Sequence, residues 1–267
     1  MKYYNAESGM LLRFWKKSDS KFWDNLWDVE NFKKQVEAGK KSRLVNGITK
    51  KFLPLGAKVL EGGCGKGQYV YGLRCHGYDS YGVDYAEKTV ERLNQLFPEL
   101  KIVTGDVQQL PFDDQFFDGY WSLGVIEHFY DGYELSAKEM HRVLKPNGFL
   151  FLTFPHLSWL RRYKIKKNKY DIFQEERAEM NDFYHFFLRS ESVIDYFEKL
   201  GFELMYKKPF DGVKGLKDEV KFLNSTMNRL YGSKNFGVKV LKYYLSKILA
   251  PLTGHQILLV LRKKSSI

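Results

Sequence analysis

One stretch of the sequence, residues 59–67, joins an apolar run to four glycines, and a helical pattern follows it. A strand, a glycine-rich turn and a helix in this order form the layout of a nucleotide-binding βαβ unit. Gly63, Gly65 and Gly67 let the backbone turn tightly, and they let a ligand approach main-chain N–H groups at the start of the next helix. The chain is therefore expected to bind a ligand at this loop.

The spacing of the glycines excludes two common phosphate-binding motifs. A dinucleotide fingerprint needs glycine at its first, third and sixth positions, and counting from Gly63 places Gln68 at the sixth. A P-loop needs Gly-Lys followed by Ser or Thr, whereas Lys66 is followed by Gly67. What remains is an acidic residue, Glu61, followed by alternating glycines. This pattern resembles the first motif of class I S-adenosylmethionine-dependent methyltransferases.

Further matches to this family follow in the family's own order and together cover residues 52–155. They are residues 81–84, 101–107, 110–118, 120–128 and 142–154. The resemblance implies a Rossmann-like α/β fold: a seven-stranded, mostly parallel sheet with an antiparallel last strand, helices on both faces and an N-terminal helical cap. It also implies a methyltransferase that uses S-adenosyl-L-methionine. The branch it resembles is the small-molecule one, with ubiquinone-biosynthesis and surface-glycan-associated methyltransferases.

The rhythm of the central segment supports the same fold. Apolar runs near residues 59, 81, 102, 120 and 149 alternate with helical patterns at 69–75, 89–96 and 135–144. Such alternation predicts a parallel sheet with right-handed crossovers. Ligands of these sheets lie at the carboxyl ends of the strands, and Glu61, Asp84, Asp106 and Ser122 all fall at or just beyond those ends.

The resemblance assigns contacts to the cofactor residue by residue. Asp84 follows the loop by about 20 residues and should hold the ribose, since a carboxylate accepts two O–H bonds. Glu61 should reach the methionine ammonium, directly or through water, and Tyr85 should pack on the adenine. Asp106 and Val107 should frame the adenine. The remaining expected contacts are Gly62, Gly63, Cys64, Gly65, Ser122 and Leu123.

Methyl transfer from a sulfonium demands little side-chain chemistry, because the protein chiefly positions donor and acceptor and excludes water. A hydroxyl acceptor would be helped by a base, and the candidates are Glu127, His128, His156 and His185. His128 is the first choice as catalytic residue, with Glu127 beside it, because it follows the fourth strand and its ordinary pKa of about 6.5 keeps it largely neutral. Alternatively, this pair caps the next helix or orients the cofactor.

Residues 1–50 are expected to form a cap of two or three amphipathic helices, since apolar side chains such as Trp23 and Trp27 recur there at helical spacing. These helices either cover the cofactor with aromatic rings, which attract a sulfonium, or pack on the sheet edge. Arg43 and the lysines near it are candidate partners for the methionine carboxylate.

Residues 51–155 are expected to be the cofactor-binding core, and residues 156–267 to complete the same domain. Residues 156–180 are basic and aromatic and lie where the family builds its acceptor pocket, so we assign substrate contact to them. The alternative is a surface loop with no role. We expect no strand between 155 and 202. We do expect a helix with Ser190 as N-cap and Gly201 as its stop, then strands near 202–206 and 255–261.

The tail from 215 to 251 contains an apolar stripe at helical spacing. Phe236, Val240, Tyr244 and Ile248 form this stripe, with lysines at 239, 242 and 247 beside it. Packing of the stripe on the fold is favoured, because such stripes are most often core. The alternative is peripheral contact of this basic helix with an anionic membrane.

The sequence limits the chemical class of the acceptor but does not identify it. The charge of +11 is spread over unrelated segments, which favours solvated faces over a nucleic-acid footprint. The Asn/Asp/Ser-Pro-Pro-aromatic run that accompanies amino methylation of bases is absent after Ser122. We therefore expect a small-molecule, lipid or glycan acceptor methylated at oxygen. The alternatives are an RNA or protein methyltransferase, or a cofactor-binding relative without turnover.

Cysteine usage and the N-terminus indicate a cytoplasmic protein. Cys64 and Cys75 are too few and too close for a disulfide framework. Charged residues interrupt the first 20 positions, so no secretory leader is expected, and no apolar run reaches the roughly 20 residues that span a bilayer. The sequence contains no metal-ligand cluster and does not indicate an oligomeric state.

Overall fold

The computed structural model describes residues 1–15, 19–174, 182–220, 228, 232–233 and 235–265. The strands are β1 (Lys2–Asn5), β2 (Met10–Phe14), β3 (Lys58–Gly62), β4 (Asp79–Asp84), β5 (Lys101–Thr104), β6 (Phe117–Leu123), β7 (Leu144–Pro155), β8 (Asp171–Ile172), β9 (Phe183–Phe187), β10 (Phe202–Phe210) and β11 (Gln256–Lys263). The helices are α1 (Ser20–Trp27), α2 (Phe32–Glu37), α3 (Arg43–Phe52), α4 (Gln68–Cys75), α5 (Glu87–Leu96), α6 (Glu134–Val143), α7 (Trp159–Lys166), α8 (Ser190–Lys199), α9 (Gly212–Glu219) and α10 (Phe236–Thr253).

The main sheet has seven strands in the order β10-β11-β7-β6-β3-β4-β5. β3 pairs in parallel with both β4 and β6, whereas β11 is antiparallel to both of its neighbours. The predicted fold class, including the antiparallel last strand, is confirmed. From β3 the chain adds β4 and β5 on one side of the sheet and then β6 and β7 on the other side. At this switch point in strand order, the carboxyl ends of β3, β4 and β6 lie together.

Both faces of the main sheet are covered by other parts of the chain. Successive side chains of a strand point to opposite faces, and in the central strands both neighbours are apolar. Tyr120 and Trp121 of β6 are fully buried in two different hydrophobic clusters. The ring of Trp121 stacks on Phe151 with centroids 4.5 Å apart, and its Nε1–H donates to Oγ1 of Thr49 in α3 across 2.9 Å. Removal of a buried tryptophan of this kind typically costs about 3–5 kcal/mol. These contacts fix β6 and therefore the loop that follows it.

A second sheet of four strands, β8-β1-β2-β9, differs from the sequence prediction. Helices were expected from the N-terminus, but residues 2–14 form a hairpin, and strands also occur between 155 and 202. The hairpin turns because the side chain of Asn5 accepts from the backbone N–H groups of Glu7 and Ser8 at 2.9 and 3.0 Å. The helices expected between residues 20 and 52 are present.

A buried ionic cluster ties this second sheet to the helices behind it. Glu219 of α9 is 6% exposed, and its carboxylate accepts from Lys2, Arg161, Lys164 and Tyr170 at distances of 2.6–3.0 Å. Burial alone would raise the pKa of Glu219, but Lys2 and Arg161 outweigh it and lower that pKa to about 2. The basic segment predicted to contact substrate therefore has a structural role at Arg161. Residues 175–180 of that segment lie outside the described residues.

Two details near the C-terminus correct the sequence prediction. Ser190 is the first residue of α8 rather than its N-cap, which is Arg189. The stripe predicted to pack on the fold is exposed: Phe236 is 81% and Ile248 is 71% exposed. The opposite side of α10 packs on α9, where Gly212 allows the two backbones to approach and Oγ1 of Thr253 donates to the Gly212 carbonyl across 2.7 Å.

Candidate active site

A cavity of about 220 Å³ opens at the carboxyl ends of β3, β4 and β6, beneath α1. Its lining residues are Trp23, Trp27, Gly63, Asp84, Tyr85, Gly105, Asp106, Val107, Leu123, Gly124, Val125, His128 and Phe129. Six of the predicted cofactor contacts are therefore brought together: Gly63, Asp84, Tyr85, Asp106, Val107 and Leu123. One of the two predicted catalytic residues, His128, joins them.

Asp84 connects the end of β4 to the glycine loop. Its Oδ2 accepts from the backbone N–H of Gly65 across 2.7 Å, and its Oδ1 accepts from the N–H of Ala86 across 2.9 Å. Burial raises the pKa of Asp84, although these hydrogen bonds act in the opposite direction. A carboxylate has about four acceptor sites, and the backbone N–H groups of Gly65, Ala86 and Tyr85 act on this one, so acceptor capacity remains for an O–H donor. The position suits a pair of ribose hydroxyls.

The loop itself is shaped for close approach at Gly63 and Gly65. Both residues have positive φ values, +71° and +49°, which side chains rarely adopt. A Cβ at Gly63 would lie 2.6 Å from Val125, and a Cβ at Gly65 would lie 2.9 Å from the indole of Trp27. No larger residue fits at either position without displacing a wall of the cavity.

Glu61 lies behind the cavity rather than in its lining. The side chain is 2% exposed, and its Oε2 has no hydrogen-bond partner among the described residues. Burial raises its pKa well above the ordinary value, and the nearby charge of Asp84 raises it further. An unpaired buried carboxyl is costly unless a partner arrives, and an ammonium group, directly or through water, would supply one. The residues present thus fit the predicted cofactor: an acid for its amino group, an acid for its ribose and a glycine cradle.

Besides Glu61, four more predicted contacts do not line the cavity: Gly62, Cys64, Gly65 and Ser122. The space beside Gly62 is filled by the hydroxyl of Tyr120. Cys64 is 4% exposed, and burial raises its pKa well above the ordinary value. Ser122 is buried too, with no hydrogen-bond partner for its Oγ in the described part of the chain. These residues shape the loop and strand ends from behind.

Helix α1 covers the cavity with aromatic rings, the first of the two alternatives for the N-terminal helices. Trp23 and Trp27 stack with centroids 5.8 Å apart and line the cavity. Asp24, between them, anchors the helix, because its Oδ1 accepts from the N–H and the hydroxyl of Thr89 at 3.0 and 2.9 Å. Aromatic rings at this position would keep water from a bound ligand and would present π faces, which attract a sulfonium. Neither tryptophan was among the predicted site residues, although their helical spacing was visible.

His128 stands in a short 3₁₀ turn after β6, with its ring against the edge of Trp23 at a centroid distance of 5.2 Å. Its Nδ1 lies 2.5 Å from the carbonyl oxygen of Tyr184. A carbonyl can only accept, so Nδ1 carries the proton and Nε2 keeps a lone pair. Burial lowers the pKa of His128 to about 4, partly offset by this hydrogen bond. The ring is therefore neutral at physiological pH.

The other candidate bases do not line the cavity. Glu127 is 2% exposed, and burial raises its pKa to about 8, so it is largely protonated at neutral pH. His156 and His185 are buried, and burial is the main cause that lowers the pKa of each, for His156 to about 3. Arg43 is also absent from the lining, and its charge acts on Tyr243 of α10 instead. Within the described residues, no cluster of potential metal ligands is present.

Comparison with known proteins agrees with this geometry. Residues 60–152 match a family model described as a methyltransferase domain. A probable S-adenosylmethionine-dependent methyltransferase of Mycolicibacterium smegmatis is 33% identical over 101 residues, 38% of this chain and 39% of the relative. A demethylmenaquinone methyltransferase of Staphylococcus aureus is 31% identical over 137 residues, 49% of this chain and 54% of the relative. The chain thus spans about half or less of the length of these relatives.

Solved structures share the fold at low sequence identity. A SAM-dependent methyltransferase from Methanosarcina mazei superposes with a TM-score of 0.55 and 16% identity, covering 82% of this chain and 98% of that one. One from Thermotoga maritima, described as a possible histamine N-methyltransferase, gives 0.53 and 18%, covering 92% and 100%.

Residues 60–152, about a third of the chain, thus match a methyltransferase domain, and this segment contains most of the residues that line the cavity. The match agrees with the predicted enzyme class over that segment. The predicted cofactor, S-adenosyl-L-methionine, is the one named in the descriptions of the Mycolicibacterium smegmatis relative and of both solved structures.

Proposed function

We propose that this chain is an S-adenosyl-L-methionine-dependent methyltransferase that acts on a small-molecule, lipid or glycan acceptor at oxygen. The observation that carries the proposal is the placement of a neutral histidine, His128, in the same aromatic-roofed cavity as the ribose-binding acid Asp84. The cofactor would supply a methyl group already activated on a sulfonium. The chain then has to hold that group, orient the acceptor and receive a proton.

The cavity residues divide these tasks. Asp84 accepts hydrogen bonds from ribose hydroxyls, and Asp106 with Val107 borders the adenine. Glu61 balances the positive charge of the methionine ammonium from behind the glycine loop. Trp23 and Trp27 close the cavity from above, which excludes water from the transfer.

His128 is the base in this proposal. A hydroxyl becomes strongly acidic as its oxygen forms a new bond to carbon, so even an imidazole with a pKa of about 4 can accept its proton at Nε2. The Tyr184 carbonyl holds Nδ1–H and would stabilise the imidazolium that results. Glu127 lies behind the turn, stays neutral and takes no part in the proton transfer.

The acceptor class rests on the scattered charge of the chain and on the relative named as a demethylmenaquinone methyltransferase, whose name denotes a small-molecule acceptor. The described cysteines are both free, which accords with a reducing compartment, and we place the enzyme in the cytoplasm. Among the helices of the described residues, none is long and apolar enough to cross a membrane.

The test is release of S-adenosylhomocysteine by the purified chain, supplied with S-adenosyl-L-methionine and one of three acceptor pools: a metabolite and lipid extract, total RNA, or a denatured protein pool. We expect turnover with the extract only, and its loss in Asp84→Ala. Turnover with RNA or protein alone would overturn the acceptor class. Cofactor binding without turnover in any pool would identify a non-catalytic relative.

A further inference from the structure

A band of apolar side chains runs along the solvent side of α10. Phe236, Val240, Tyr244, Ile248 and Leu252 follow each other at four-residue spacing, so they share one side of the helix. They are 81%, 39%, 58%, 71% and 51% exposed. At 1.5 Å per residue, this exposed band is about 24 Å long. Contiguous apolar surface of this extent marks an interaction site rather than ordinary surface.

The packing of α10 on the fold does not use the exposed band. The packed side of the helix carries Ala250 and Thr253, which are buried, and it approaches Gly212 and Gly215 of α9 closely. Those contacts hold the helix in place and leave the band facing outward. The band therefore belongs to a fixed surface of the folded domain.

Positive charge borders the exposed band. Residues 236–253 contain three lysines and neither aspartate nor glutamate. Nζ of Lys247 lies 4.4 Å from the ring centroid of Tyr243. A hydrogen bond from Lys247 lowers the pKa of Tyr243, and the charges of Arg43 in α3 and Lys208 in β10 lower it further, so both cations lie near this ring.

Four of the cations near the exposed band have no acidic partner within the part of the chain that the structure describes. Arg43, Lys208, Lys239 and Lys247 form no ion pair with any residue that the structure describes. An apolar band bordered by cations without acidic partners is complementary to a surface that is apolar inside and anionic at its rim. An anionic phospholipid leaflet has that arrangement, and its negative potential attracts basic segments close to it.

We propose that the exposed band docks α10 in the plane of an anionic lipid bilayer. Phe236 and Ile248 enter the boundary between headgroups and acyl chains, and Tyr243 and Tyr244 lie at the headgroup level, where amphipathic rings are favoured. Lys239 and Lys247 extend their apolar stems along the band and place their ammonium groups among lipid phosphates. The inference goes beyond the proposed methyl transfer and holds whatever the acceptor is.

A second copy of the chain is a poorer occupant of the band. A twofold dimer brings the same patch of each copy together, so the cationic border of one copy would face that of the other. The apolar bands could still meet, but like charges around them would oppose the contact. Acidic phospholipids carry the opposite charge, so a bilayer that contains them meets no such repulsion from the cationic border.

Vesicle flotation of the full chain tests the proposal. We expect binding to phosphatidylcholine vesicles that contain phosphatidylglycerol, and at least roughly tenfold weaker binding to phosphatidylcholine alone or in high salt. Phe236→Ser/Ile248→Ser should weaken binding by a similar factor because it removes buried apolar area. Lys239→Glu/Lys247→Glu should weaken it roughly thirtyfold or more at low salt. Circular dichroism and thermal melting establish that each variant is folded.

The matched control is Leu135→Ser, which removes an exposed leucine, 57% exposed, from α6 instead of α10. It should float like the wild-type chain. Equal flotation of all variants would overturn the proposal. Failure of the wild-type chain to float would overturn it too. If sedimentation then showed a dimer that Phe236→Ser/Ile248→Ser converts to monomer, the exposed band would be an interface between copies.

Discussion

The carboxylate of Asp84 and the backbone N–H of Gly65 are joined by a hydrogen bond of 2.7 Å. This bond connects the end of β4 to the loop after β3, so the acid proposed to bind the ribose and the glycine loop hold one another in place. The left-handed backbone of Gly65 aims the N–H at the carboxylate. A site arranged in this way has less ordering to complete when the cofactor binds.

Asp84→Ala is expected to weaken S-adenosyl-L-methionine and S-adenosylhomocysteine binding by at least roughly tenfold, about 1.4 kcal/mol. It removes the proposed acceptor for ribose hydroxyls and leaves the Gly65 N–H without its partner. Isothermal titration calorimetry measures the effect. Asp79→Ala is the control, because Asp79 begins the same strand and pairs with Lys101 at the surface. Unchanged affinity in Asp84→Ala would remove Asp84 from the site.

Gly65→Ala should both strain the loop and displace Trp27, since the new Cβ would lie 2.9 Å from that indole. We expect about 1–2 kcal/mol of lost stability from the left-handed backbone, together with weaker cofactor binding. Gly56→Ala is a matched control, because Gly56 has a φ of +79° and nothing within 4 Å of its Cβ position. It should reduce the melting temperature and leave cofactor affinity intact. Equal affinities in the two variants would show that the Trp27 contact does not matter for binding.

The sequence was sufficient for the parts of the fold that local pattern encodes. The glycine spacing after β3 and the acid that ends β4 predicted the loop and Asp84, and the alternation of strands and helices predicted the main sheet. The second sheet was missed because its pairing is remote: Leu11 of β2 faces Phe187 of β9. Only the Asn5 turn signalled the hairpin locally.

The direction in which side chains point was the second property that the sequence alone did not predict. Periodicity identified α10 as a helix but assigned its apolar stripe to the core, because the side that packs does so through small residues such as Ala250 against Gly212. Glu127 and His128 are adjacent, yet only His128 lines the cavity, since successive side chains of a 3₁₀ turn point about 120° apart. Trp23 and Trp27 reach the cavity through the Asp24 contact with Thr89, which no local pattern reveals.

Glu127 should make stability depend on pH. Its folded pKa of about 8 lies above the ordinary value of 4.5, so its contribution is fully present below pH 4.5 and is lost as pH rises through 8. Glu127→Gln, which cannot ionise, should gain about 2 kcal/mol or more over the wild-type chain between pH 5 and pH 9. Denaturant unfolding across that range measures the difference. Glu134→Gln, at an exposed acid of α6, is the matched control. A difference independent of pH would mean that Glu127 is ionised in the folded chain.

His128→Asn separates a base from a structural residue. An asparagine amide can keep the donor that Nδ1 gives to the Tyr184 carbonyl, but it lacks the lone pair of Nε2. We expect turnover to fall by about 10²-fold or more while cofactor affinity stays near the wild-type value. The wild-type rate should also decline only as pH falls towards 4, where His128 becomes protonated.

The matched control is His76→Asn, which alters an exposed histidine and should leave turnover unchanged. Equal loss of turnover and cofactor affinity in His128→Asn would rule out the base role and leave His128 as a support for the cavity wall. Retained turnover would be equally decisive, because methyl transfer would then proceed with positioning alone and the proton would leave through solvent.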